Sequence, residues 1–112
     1  MIDVQPKEME VIKSLLARHV PKCEVRAFGS RINHTAKTYS DLDLAVVGTR
    51  ILPDPQFYAL KEAFEESDLP FRVDLSDWNR LSKEFQTVIK KNFIVIHPEL
   101  IPPLPYPPQQ PQ

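Results

Sequence analysis

GSRINHTAKTYSDLD, running from Gly29 to Asp43, sets Gly29-Ser30 apart from the triplet Asp41-Leu42-Asp43 by ten residues. The triplet opens DLDLAVVG, whose apolar and β-branched content predicts a strand closed by Gly48. Side chains two apart on a strand share a face, so Asp41 and Asp43 point the same way and Leu42 points to the other side. Two neighbouring carboxylates repel, and one becomes protonated unless a cation lies between them. Magnesium suits that mount, because it takes one or two protein carboxylates and fills its octahedron with water and substrate phosphates. Gly29 lets the backbone come close to a ligand, and Ser30 offers a hydroxyl and an N–H to phosphate oxygens. A phosphate cradle and a metal mount on one short hairpin predict transfer of a nucleotide. At average amino-acid usage these four positions coincide in roughly one chain per thousand of this length, whereas either half alone is ordinary turn chemistry.

Outward from this stretch the pattern is that of an α/β domain. Pro6 suits the first turn of a helix, and Met9, Ile12, Leu15 and Leu16 fall on one face through about His19. Pro21 separates it from a strand, CEVRAF, that runs into Gly29. Residues 31–39 form a polar connection with room for a helical turn. LPDPQF predicts a helix start with Asp54 as cap and Pro55 at the first position, followed by a buried stripe of Phe57, Leu60 and Phe64. FRVDLSD predicts a further strand, roughly Phe71 to Leu75, where Arg72, Asp74 and Ser76 alternate with Val73 and Leu75. Asp77 ends that strand ahead of Trp78 and reads as a cap for a helix near residues 80–92, with Leu81, Phe85 and Val88 as its apolar stripe. FIVI closes the domain as a short strand.

Composition narrows the function classes. With 112 residues the chain has the size of one domain with one modest core. Fourteen basic and fifteen acidic residues leave a net charge of −1, so no bulk field draws nucleic acid or membrane, and direct nucleic-acid binding is not expected. The single cysteine, Cys23, forms no internal disulfide and suits a reducing cytoplasm; it reads as a small packed side chain. The first residues, MIDVQPKEMEVIK, are charged and predict no secretory leader. No apolar run approaches the ~20 residues of a membrane helix.

The Gly-Ser, ten residues, Asp-x-Asp pattern resembles the signature of the DNA polymerase beta nucleotidyltransferase superfamily, and the short length resembles its minimal nucleotidyltransferase (MNT) branch. The resemblance covers roughly residues 6–97, with its specific content in residues 28–47 and one further acid. It implies a small mixed β-sheet flanked by helices, and a third acid on a neighbouring strand, the place filled by Asp74. Asp41, Asp43 and Asp74 would then hold two magnesium ions, Gly29 and Ser30 would meet the distal phosphates of ATP, and Arg31 and Lys37 would add positive charge there. His34, in the same loop, reads as a solvated residue. Larger relatives carry a second domain for the acceptor, so here the acceptor is expected on another polypeptide. MNT proteins are commonly paired with a HEPN-domain ribonuclease toxin, which implies an antitoxin that transfers AMP from ATP to a tyrosine of that toxin. Two alternatives stand beside this reading: a purely binding antitoxin, and a small-molecule nucleotidyltransferase of the aminoglycoside type.

The last stretch has another character. Residues 1–97 read as the nucleotidyltransferase domain and 98–112, PELIPPLPYPPQQPQ, as a tail holding seven of the twelve prolines. Proline removes backbone donors and favours an extended path. The tail reads as a free end or, from Leu100, Ile101, Leu104 and Tyr106, as a strap over a partner subunit.

Overall fold

Helix α1 (Pro6–His19) begins where Pro6 needs no donor of its own, and Glu8 accepts the Gln5 N–H at 3.0 Å. Its apolar stripe buries Ile12 and Leu16 completely, and it stops at Val20 ahead of Pro21. Strand β1 (Glu24–Phe28) pairs antiparallel with β2 (Leu42–Val47), and between them Ser30–Asn33 forms a single helical turn, α2. Helix α3 (Asp54–Glu65) then carries the chain across to β3 (Val73–Asp77), which runs parallel to β2, as such a pairing requires a crossover. A 3-10 turn (Trp78–Arg80) and helix α4 (Lys83–Lys90) lead to β4 (Ile94–His97), antiparallel to β1. The sheet order is β3-β2-β1-β4, the mixed sheet with flanking helices that the family resemblance implies. This computed structural model describes residues 2–37 and 40–98. The tail beyond Pro98, with its strap reading, lies outside them, as do Thr38 and Tyr39.

Strand alternation divides the sheet into two faces. Val25, Ala27, Leu42, Leu44 and Val46 point to α1 and α3 and are fully buried there with Ile12, Leu16 and Leu60. Each large side chain so buried contributes about 1.5–3 kcal/mol of transfer free energy. The other face is covered over part of its length only. Ala45, Trp78 and Ile89 form its buried centre, edged by Phe28, Val47, Leu81 and Phe93. The Arg26 guanidinium lies 4.7 Å from the ring centres of both Trp78 and Phe93, so its charge is kept by π-faces and by Glu24.

β1 starts at Glu24, one residue after the expected Cys23, β4 lies one residue beyond the expected FIVI, and three further boundaries differ from the sequence expectation. Helix α3 starts one residue earlier: the Pro53 carbonyl accepts the Phe57 N–H at 3.1 Å, and Asp54 pairs with Arg80 instead of capping. β3 is shifted two residues onward, because its register with β2 extends to Val46↔Asp77. The expected helix 80–92 is shorter and split. Asp77 caps the 3-10 turn through Asn79 N–H at 3.1 Å, and Ser82 caps α4 through Phe85 N–H at 3.1 Å. The stripe changes accordingly: Leu81 lies before α4, Phe85 and Val88 are 39 % and 57 % exposed, and Ile89 is the residue buried.

Candidate active site

The carboxylates gather where β1 ends and β2 and β3 begin, on the partly covered face. Asp43 stands opposite Phe28 of β1 and is the register partner of Asp74 on β3. Asp41 lies two residues before Asp43 and so on the same side, one step ahead of β2. Asp43 feels the charges of the other two. Partial burial, then the charges of Asp74 and Asp41, push the Asp43 carboxyl up to about 6, and its protonated form shares a hydrogen bond with Asp74. Among the described residues no three acids, histidines or cysteines stand close enough together to hold a metal ion as they are placed. Arg72 bears on this, since its Nη2 donates to Asp41 Oδ2 at 3.3 Å. That ion pair is solvent-exposed and worth at most about 1 kcal/mol, so it holds Asp41 only weakly. Acids at Asp41, Asp43 and Asp74 on one side of the sheet are the hard oxygen donors that a divalent cation takes.

Gly29 makes this crowding possible. Its φ of 85° and ψ of −156° belong to a backbone region that side chains avoid. A Cβ added there would collide with Asp43 Oδ2 and stand 3.2 Å from its Cγ. The turn of α2 follows at once: the Gly29 carbonyl accepts from the N–H groups of Ile32 and Asn33, both at 3.0 Å. Gly29 therefore stands directly beside Asp43, the second acid of the triplet, and the two halves of the motif meet in space.

The remaining candidates divide. Arg31, expected near the phosphates, is buried, with its guanidinium on backbone carbonyls of Ser40 and Asp3 and against the ring of Phe71. Lys37 is exposed on the connection, its backbone N–H donating to Ser40 Oγ at 2.8 Å. His34 is exposed and ends α2 in the left-handed region, at φ 59°. Asp77 stands three residues past Asp74, on the opposite face of β3, where its Oδ2 accepts the Leu52 N–H at 2.8 Å in the interior. Cys23 is buried, and burial followed by the charge of Asp77 pushes its thiol up, so it stays a protonated packing residue. Sequence reasoning missed Arg72 as the partner of Asp41. The signal was present, since Arg72 and Asp74 alternate on one strand face.

Residues 10–99 match the family model described as polymerase beta, nucleotidyltransferase. Over 95 residues the chain is 46 % identical to the probable protein adenylyltransferase MntA of Haemophilus influenzae, covering 85 % of this chain and 83 % of that protein. A crystal structure of a toxin-antitoxin with AMP-PNP superposes with a TM-score of 0.67 at 26 % identity, over 79 % of this chain and 71 % of that one. A complex of tri-AMPylated Shewanella oneidensis HEPN toxin with MNT antitoxin shares the fold, with a TM-score of 0.57 at 23 % identity over 79 % and 67 % of the two chains.

Proposed function

Since the chain belongs to the polymerase beta nucleotidyltransferase family, we propose that it is a protein adenylyltransferase acting as an antitoxin, moving AMP from ATP to a tyrosine of a HEPN-type ribonuclease toxin. The observation that carries this reading is the 46 % identity to a probable protein adenylyltransferase along 83 % of its length. The likeness to a toxin-antitoxin with AMP-PNP supports both the kind of partner and the nucleotide.

The residues divide the work. Gly29 and Ser30 receive the distal phosphates, with the exposed Lys37 as a nearby cation. Asp41, Asp43 and Asp74 would hold magnesium, two ions in this reading, which supplies charge neutralisation at the phosphates and acidification of the acceptor hydroxyl. The tyrosine oxygen bonds to the α-phosphorus, the bond to pyrophosphate breaks, and the phenolic proton is released. Positioning and charge stabilisation dominate in such transfers. An added AMP brings negative charge to the toxin, which opposes RNA phosphate at its active site. Among the described residues no helix is long and apolar enough to cross a membrane, and we place the reaction in the cytoplasm.

Intact mass of a coexpressed HEPN toxin tests the proposal. The native chain adds one or more AMP masses, and the Asp41→Asn/Asp43→Asn double variant adds none. An unmodified toxin that is nevertheless neutralised equally by both chains replaces the enzyme with a sequestering antitoxin.

A further inference from the structure

Arg31 is 7 % exposed, too enclosed to reach a bound nucleotide without leaving its present contacts. Its Nε and Nη2 donate to the Ser40 carbonyl at 3.1 and 2.8 Å. Nη1 donates to the Asp3 carbonyl at 2.9 Å, and Asp3 reciprocates, its N–H donating to the Arg31 carbonyl at 2.8 Å. The guanidinium carbon sits 4.1 Å from the centre of the Phe71 ring. Ser40 directly precedes Asp41, and Phe71 directly precedes Arg72, the partner of Asp41. Arg31 itself follows Gly29-Ser30 on α2. One planar cation thus touches both segments that deliver the Asp41–Arg72 pair, from the turn that carries the phosphate-binding half of the motif.

We propose that Arg31 is a positioning residue: its fork fixes Asp41 at a set place relative to Gly29-Ser30, and it does not contact the nucleotide. This rests on the reading of Asp41 and Gly29-Ser30 as two halves of one site. The chemistry requires arginine. Two donors on one carbonyl, a third on another and a flat face on an aromatic ring are the properties of a guanidinium, and an ammonium offers no such plane. The N-terminal residues around Asp3 become part of the active-site scaffold through the same bonds, although they stand far from the motif in sequence.

Amide hydrogen exchange on the metal-free, nucleotide-free Arg31→Lys chain tests this. Exchange across residues 36–42 is expected to quicken about tenfold, with α1 and β1 at native protection. In the transfer assay kcat falls about 10²-fold through misplacement while KM for ATP stays within about twofold. A direct phosphate contact gives the opposite pattern: Arg31→Lys protects residues 36–42 as the native chain does, and Arg31→Met raises KM for ATP with kcat intact. That result overturns the proposal. Should Arg31→Lys unfold the whole domain, Phe71→Leu removes the aromatic face while keeping an apolar side chain at that buried position. Faster exchange confined to 36–42 then supports the role, and native exchange there overturns it. The exchange arms need neither ATP nor toxin, so they answer even if the native chain transfers nothing.

Discussion

The two faces of the sheet use the same strands for opposite purposes. On β2, Leu42, Leu44 and Val46 are fully buried against α1 and α3, while Asp43, between the first two, faces the partly covered side and carries a displaced pKa. On β3, Val73 and Leu75 pack against the main core, and Asp74 is exposed on the other side. The packed face contributes most of the stability. The other face gives stability up where the acids crowd, and Trp78, Ile89 and Phe93 cover it only away from them. The strand period of two lets one segment serve both roles without compromise between them.

That contrast is easiest to break at its chemical end. Asp43→Asn is expected to lower kcat at least about 10³-fold, roughly 4 kcal/mol of transition-state stabilisation, measured as AMP transfer to the toxin, with the far-ultraviolet circular dichroism unchanged. Activity within tenfold of native removes Asp43 from the site. One residue away, Leu44→Ala should cost 2–5 kcal/mol in urea unfolding, ~4 if the cavity stays rigid, while the folded fraction keeps transferring AMP. A cost below 1 kcal/mol contradicts the assignment of Leu44 to the tight face.

Asp74 and Asp77 give a crossed test along β3. Asp77→Ala removes the acceptor for the N–H groups of Leu52 and Asn79 and should cost about 2 kcal/mol of stability, with transfer per folded molecule kept. Asp74→Asn should change stability by less than about 0.5 kcal/mol and slow turnover far more than it weakens ATP binding. Titration calorimetry with a nonhydrolysable triphosphate reads the binding, and reversal of the two outcomes makes Asp77 the third acid.

The smallest effect is electrostatic. Asp43 titrates at about 6 in the fold against an ordinary 3.8. Between those values the folded chain holds a proton that the unfolded chain has lost, so stability falls as pH rises through this window. Asp43→Asn lacks that loss. In metal-free buffer it should melt a few degrees above native at pH 7, with the gap closing below pH 4. A gap that stays constant with pH assigns the gain to something other than charge.

Much of this was legible in the chain because local rules govern it. Alternation gave the faces of β2 and β3, Pro6 gave the start of α1, and the Gly-Ser and Asp-x-Asp spacing singled out the turn and the strand that meet at Gly29 and Asp43. What stayed hidden depends on distant partners. The burial of Arg31 is set by Asp3 and Phe71, 28 and 40 positions away in a chain whose local pattern shows only a polar loop. α4 is shorter than its sequence pattern predicts for a different reason. Asp77 and Ser82 are both sound caps, and only the commitment of Asp77 to Leu52 and Asn79 decides that the helix waits for Ser82.

Among the described residues β3 lies at one margin of the sheet, and the outer backbone edge of such a strand invites another extended chain to add on. Arg72 and Asp74 project exposed charges there, the device by which natural sheets discourage edge-to-edge aggregation. Asp74, the third acid of the proposed site, is thus also a solubility device. A chain that lost its carboxylate to a β-branched apolar residue would surrender chemistry and colloidal protection together, and light scattering would register the second loss as growth with protein concentration.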